Sequence, residues 1–128
     1  MPNLKLTQPQ EVEVLYLLPA IRRELAIAMK KTGMEQKKIA ELLCVTEPAV
    51  SQYFSSKRAQ KIKFTKEILG KIQVSAEKIK NKTNLLRETQ VLLNEIMNSG
   101  LTCKVHRDLA ELPDECGACF KDFKNKFI

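Results

Sequence analysis

The chain has 128 residues, and its 22 Lys and Arg against 15 Asp and Glu give a net charge of +7 and an isoelectric point near 9.3. That length suits one compact domain, or a small domain with an appendage, and the charge suits a polyanionic partner. No apolar stretch approaches the roughly 18 residues of a membrane span, and the start "MPNLKLTQPQ" lacks the basic-then-apolar order of a secretory signal. A cytoplasmic protein is therefore expected, its four cysteines reduced unless bound to metal.

Residues 1–10, with Pro2 and Pro9, read as a lead-in. The apolar "EVEVLYLL" of 11–18 begins either as helix or as extended chain. Pro19 suits the first turn of a helix running to about Thr32, with Ile21, Leu25, Ala28 and Met29 at helical spacing and Gly33 closing it in the C′ position. Two short helices follow within 36–55, then a polar connection, "SSKRAQK". "FTKEILGKI" gives a further short helix capped by Thr65, with Ile68, Leu69 and Ile72 turned inward.

From about Val74 to Asn98 the pattern predicts a long charged helix, ended by Gly100. Ile72, Ile79, Leu86 and Leu93 recur every seven residues, while their companion positions Ser75, Lys82 and Thr89 are polar and only Ile96 is apolar. One apolar line per heptad is half a coiled coil, able to dock on the core or to pair with a second copy.

The densest information lies in "QKKIAELLCVTEPAVSQYF", residues 36–54. Ile39, Ala40 and Leu43 share one face of a first helix; Val45 plugs a turn; Val50, Tyr53 and Phe54 form the inner face of a second. Ala40 is small where the helices cross, Thr46 is a good N-cap, and Pro48 falls where no backbone partner is lost. Thr46, Glu47, Pro48, Ser51, Gln52 and Ser55 remain outside, short and polar, as a helix reading a major groove requires. Ten basic residues lie in or beside the unit: Arg22, Arg23, Lys30, Lys31, Lys37, Lys38, Lys57, Arg58, Lys61 and Lys63. Residues 1–70 hold 12 basic side chains against 7 acidic, and 71–128 hold 10 against 8, so the excess favours this half. Read for spacing alone, the same stretch is an ordinary helical hairpin in an all-α core.

These residues resemble the lambda-repressor/Cro-like (XRE-type) helix-turn-helix, whose pattern positions fall here on Gln36, Ala40, Cys44, Val45, Val50 and Ser51, all but Cys44 in agreement with it. Cys44 departs from it, standing at a turn site usually held by Gly, where a positive φ costs a side chain about 1 kcal/mol. The resemblance implies an all-α, lambda-repressor-like DNA-binding domain over 1–72, a connecting or dimerisation helix over 73–99, and a tail over 100–128. In it Gln36 anchors the first helix to a phosphate, and Lys57 and Arg58 grip the backbone. Gln52 is the candidate for a paired contact to adenine, and Thr46 or Pro48 for a thymine methyl. One module covers about half a turn of DNA, so a homodimer on a palindrome is expected.

The second constellation is "CKVHRDLAELPDECGAC", residues 103–119. As ligands it reads C-x2-H-x9-C-x2-C: Cys103, His106, Cys116 and Cys119, with Gly117 letting the backbone fold over the sulfurs. The plain alternative is a buried Cys103, a surface His106 and a reduced or redox-active CGAC pair. A thioredoxin-like role lacks a βαβ framework, and Cys44 is expected in the core rather than as a ligand.

More broadly, residues 11–60 followed by a helix and a Cys-rich tail resemble predicted XRE-type regulators typical of archaea, whose tail "C-x-x-H … P-x-x-C-x-x-C" is matched by "CKVH" and "LPDECGAC". Some members carry a further CxxC just upstream, which "LLNEIMNSG" lacks, so the tail alone cannot supply a four-Cys cluster. Zinc is the first expectation, a mixed Cys/His set being its ordinary one. An iron–sulfur cluster completed by His106 or Cys44 is the alternative and implies a sensor. An enzyme is not expected: the single His belongs to the Cys cluster, and no nucleophile–base pair, phosphate loop or paired carboxylates stand out. No small-molecule substrate is expected. The competing reading is a helical protein-interaction or antitoxin-like module in which DNA binding is secondary.

Overall fold

The computed structural model describes residues 8–113, 116 and 117, with the side chain of Arg58 outside that description. Among the described residues the regular structure is entirely helical: α1 (Pro9–Val12), a π turn (Glu13–Leu17), α2 (Leu18–Lys31), α3 (Gln36–Leu42), α4 (Glu47–Ser55), α5 (Lys57–Lys61), α6 (Lys66–Lys78), α7 (Lys82–Ser99) and α8 (Leu101–Ala110). No helix among them is long and apolar enough to cross a membrane.

The chain turns helical earlier than Pro19 suggested. Pro9 opens α1, and the Gln8 N–H donates to Glu11 Oε1 at 2.9 Å. Val12 and Leu17 are fully buried, which draws the whole segment onto the core. Pro19 lies near the start of α2 with no break before it; in α geometry its ring would meet the carbonyl four residues back, and it has no N–H to give. The π turn absorbs this by widening the ladder, so that the Leu18 N–H reaches Glu13 O. Burial in that turn raises the pKa of Glu13 above the usual carboxylate value.

Further on, α2 buries Ala20, Ile21, Leu25, Ala26 and Met29 and packs against α4, α5 and α6. It ends in a Schellman turn: Gly33 takes φ +88°, its N–H reaches Lys30 O at 3.0 Å, and the Met34 N–H reaches Met29 O at 3.4 Å. The expected polar connection after α4 is itself the short helix α5. Ser56 accepts from the Ala59 N–H at 3.2 Å, and Ala59 is buried. Thr65 caps α6 as expected, accepting from the Ile68 N–H at 3.2 Å.

The single long helix expected from Val74 to Asn98 is instead two. α6 stops at Lys78, Ile79 is extended and fully buried, and Asn81 starts α7 by accepting from the Asn84 N–H at 2.8 Å. Asn84 Oδ1 in turn accepts from the Lys80 N–H at 3.2 Å. Burying Ile79 from a helical backbone would leave α7 pointing away from the core. The break folds α7 back on α6, and Leu92 and Ile96 join the same buried cluster as α2 and α6.

Between α6 and α7, Lys71 Nζ lies 2.6 Å from Glu95 Oε2 and 3.8 Å from Glu67, while the Ser75 hydroxyl donates to buried Glu88 at 2.8 Å. The Glu95 hydrogen bond raises the Lys71 pKa, with burial working against it. This contribution therefore holds below the ordinary lysine pKa and is lost only as pH rises past it.

Gly100, at φ +88°, ends α7 and turns the chain into α8. α8 packs on α7 and on α1, closing the last described helix against the first described one. Leu101 and Val105 pack on the core, and Thr102 and His106 are buried. The order of α8 thus comes from its docking on α1 and α7.

Candidate nucleic-acid interface

The unit α3–turn–α4 is built by local chemistry. Ile39, Ala40 and Leu43 are buried as their spacing predicted, and Leu42 joins them. The turn is again a Schellman motif: the Cys44 N–H reaches Glu41 O at 3.2 Å and the Val45 N–H reaches Ala40 O at 3.0 Å. Cys44 takes φ +56°, the left-handed conformation the turn demands. Its side chain is exposed rather than in the core, because a residue at C′ points away from the helix it closes. Replacing Cys44 with Gly removes that strain and should stabilise the fold by about 0.5–1 kcal/mol, read as a raised denaturation midpoint.

Beyond the turn, Thr46 caps α4 by accepting from the Ala49 N–H at 3.2 Å, with Pro48 in the first turn. Val50 is fully buried; Tyr53 and Phe54 are half-buried, and Phe54 packs on the core. The two helices are also strapped at their N-terminal ends. Gln36 Nε2 donates to Glu47 O at 3.1 Å and to Ser51 Oγ at 2.8 Å. Both hydrogens of that amide are thus engaged, and a phosphate seeking a donor from Gln36 must displace one of these bonds.

Thr46, Glu47, Pro48, Ser51, Gln52 and Ser55 are all exposed, and Pro48, Ser51, Gln52 and Ser55 share a face at helical spacing. Their hydrogen-bonding capacity is unequal. Ser51 receives Gln36, and the Ser55 hydroxyl folds onto its own helix, toward Gln52 O at 3.3 Å and Ser51 O at 3.5 Å. Thr46 is occupied as the cap. Gln52 makes no side-chain hydrogen bond among the described residues, so its amide is available for an external partner.

Of the flanking cations, Lys30, Lys31, Lys37, Lys38, Lys57, Lys61 and Lys63 are exposed. Lys30 lies over the Phe54 ring, 5.4 Å from its centroid, and Lys38 faces Glu41 at 3.9 Å. Arg22 and Arg23 are half-buried, and Arg23 turns to Glu24 at 3.2 Å. Arg58 belongs to α5, and its side chain is outside the described residues.

The heptad line does not survive as a face. Ile79 is fully buried and Leu93 packs half-buried on the core, whereas Leu86 is 64% exposed. Val74 on α6 and Val91 on α7 are exposed as well.

Of the Cys/His set, Cys103 and His106 lie one turn apart on α8, Cys103 half-buried and His106 buried. Cys116 is half-buried, its N–H donating to Pro113 O at 3.0 Å, and Cys119 lies outside the described residues. Among the described residues no three metal-capable side chains gather into one group.

A scan against models of known protein families, a search of curated proteins and a search of solved structures each return no match.

Proposed function

We propose that this chain is a sequence-specific DNA-binding transcriptional regulator of the lambda-repressor/Cro-like helix-turn-helix kind, reading the major groove with α4. The observation that carries this reading is the outer face of α4. It is polar and exposed, it is held to α3 by the Gln36 strap, and it presents Gln52 with its amide uncommitted, on a unit whose own and neighbouring elements carry the exposed Lys30, Lys31, Lys37, Lys38, Lys57, Lys61 and Lys63. Glu47 and Pro48 stand at the N-terminal end of that face, and Lys57 and Arg58 follow it for backbone contacts. A gel shift against the gene's own upstream DNA, at two salt concentrations, tests it: a sequence-dependent shift that weakens steeply with salt supports the reading. A chain that ignores both heparin and DNA is instead a protein-interaction or antitoxin-like module.

Two modules on a palindrome need a shared face, and Val74, Leu86 and Val91 offer exposed apolar side chains outside the DNA-binding unit. Leu86→Asp should therefore shift light-scattering mass from dimer toward monomer while the helical circular dichroism holds. A wild type that is monomeric at tens of micromolar removes the homodimer.

In the tail, Cys103 and His106 offer a thiol and an imidazole from one helix, and with Cys116 and Cys119 they make the donor set of structural zinc. A bound zinc ion would fasten residues 111–119 to α8, whereas an iron–sulfur cluster in its place would serve as a redox or iron sensor. Metal analysis with a visible spectrum of anaerobically purified protein separates them: zinc is colourless and a cluster is brown. Cys116→Ser with Cys119→Ser should abolish the metal while leaving α3 and α4 folded; full occupancy in that variant refutes the site.

A further inference from the structure

A cleft of about 390 Å³ opens between the last turn of α2 and the second half of α6. Its floor includes Met29, Met34 and Ala76, and Lys31, Glu77 and Lys80 stand at its rim. Met29 and Ala76 are core residues, while Lys31 and Lys80 are exposed and come from different elements. Neither lysine has a carboxylate within ion-pair distance among the described residues, so neither ammonium group beside this apolar floor is held in an ion pair. Two methionines make that floor adaptable, because their unbranched thioethers reshape around a guest. The volume lies within the range of small-molecule sites, which pair apolar walls with a few converging polar groups.

We infer that this cleft binds a small amphipathic anion, its apolar body on Met29, Met34 and Ala76 and its anionic head between Lys31 and Lys80. Glu77 adds a carboxylate at the rim, so the lining nets one positive charge and disfavours a second anionic group on the ligand. The lining includes Thr32 and Met34, the two chain neighbours of Gly33, the left-handed turn residue that sends the chain from α2 into α3. A guest there touches the junction that sets the direction of the α3–α4 unit. In a DNA-binding protein that makes it an effector site, a consequence that rests on the proposed function, whereas the binding itself does not.

The test uses the full chain without DNA, labelled at the methionine methyls, with octanoate as the probe. The four methionines are Met1, Met29, Met34 and Met97. Octanoate should move the Met29 and Met34 signals saturably and leave Met97, on α7, in place. Lys31→Glu with Lys80→Glu changes exposed side chains only and should weaken binding roughly tenfold or more, and octylammonium should leave all four signals unmoved. Absence of a saturable shift, equal movement of Met97, equal affinity in the charge-reversed variant, or binding of octylammonium as tightly as octanoate overturns the site. Repeating the gel shift with octanoate present then reads the effector role separately, and a failed gel shift without octanoate concerns α4 alone.

Discussion

Ile79→Ala should destabilise the chain by about 2–5 kcal/mol, the range for truncating a fully buried aliphatic side chain. Ile79 has no exposed surface and sits in the extended link between α6 and α7, in one buried cluster with Ile72, Leu92 and Ile96. Removing its outer carbons leaves a cavity in the place where α7 turns back, and the neighbouring helices can close it only by shifting against one another. Leu86→Ala, seven residues on along the same heptad line, should change monomer stability by no more than about 0.5 kcal/mol, because Leu86 is largely in solvent. Denaturant midpoints of the two variants, compared at unchanged slope, check this. Similar losses at both positions would mean that the two residues share a face after all, as a continuous helix requires.

Gln52→Ala should cost about 1–3 kcal/mol of DNA affinity at one base position and relax the preference there. The neighbours of Gln52 are already committed: Ser51 to Gln36, Ser55 to its own helix, and Thr46 to the cap of α4. A side-chain amide with a free donor and a free acceptor is the group that can pair with adenine in the major groove. Lys57→Ala should behave differently, weakening all sequences alike and reducing the salt slope by about one. Binding measured across a set of single-base operator variants separates the two effects. If Gln52→Ala leaves affinity and preference intact, α4 is not the reading helix.

Gln36→Ala offers a related comparison, because Gln36 is both the strap between α3 and α4 and the residue expected on a phosphate. Its loss should loosen the two helices against each other, so the variant's stability has to be measured before its affinity is interpreted.

Much of this protein is legible from the sequence because the forces involved are local. Thr46 and Thr65 announce helix starts through a hydroxyl that reaches a backbone N–H three residues on. Gly33 and Cys44 mark turns that need a positive φ, and both have one. The buried face of α3 and the polar outer face of α4 follow from helical periodicity alone. What periodicity could not provide was any decision between residues of equal type at equal spacing. Ile79 and Leu86 occupy the same heptad position, yet one is core and the other solvent-facing, because the chain breaks at Ile79 to return α7 to α6. Glu88 is charged by type, yet it is buried and held by Ser75 from another helix. His106 has the spacing of a ligand, and α8 places it against the fold because α1 and α7 supply a surface for that helix to cover. At α4, the pattern marked six exposed side chains, and the hydrogen bonds of the fold engage Ser51, Ser55 and Thr46 while leaving Glu47 and Gln52 uncommitted among the described residues. Caps, turns and amphipathic faces are set by neighbours within four residues, whereas burial and hydrogen-bond commitment depend on which distant element arrives, and that is decided when the helices pack.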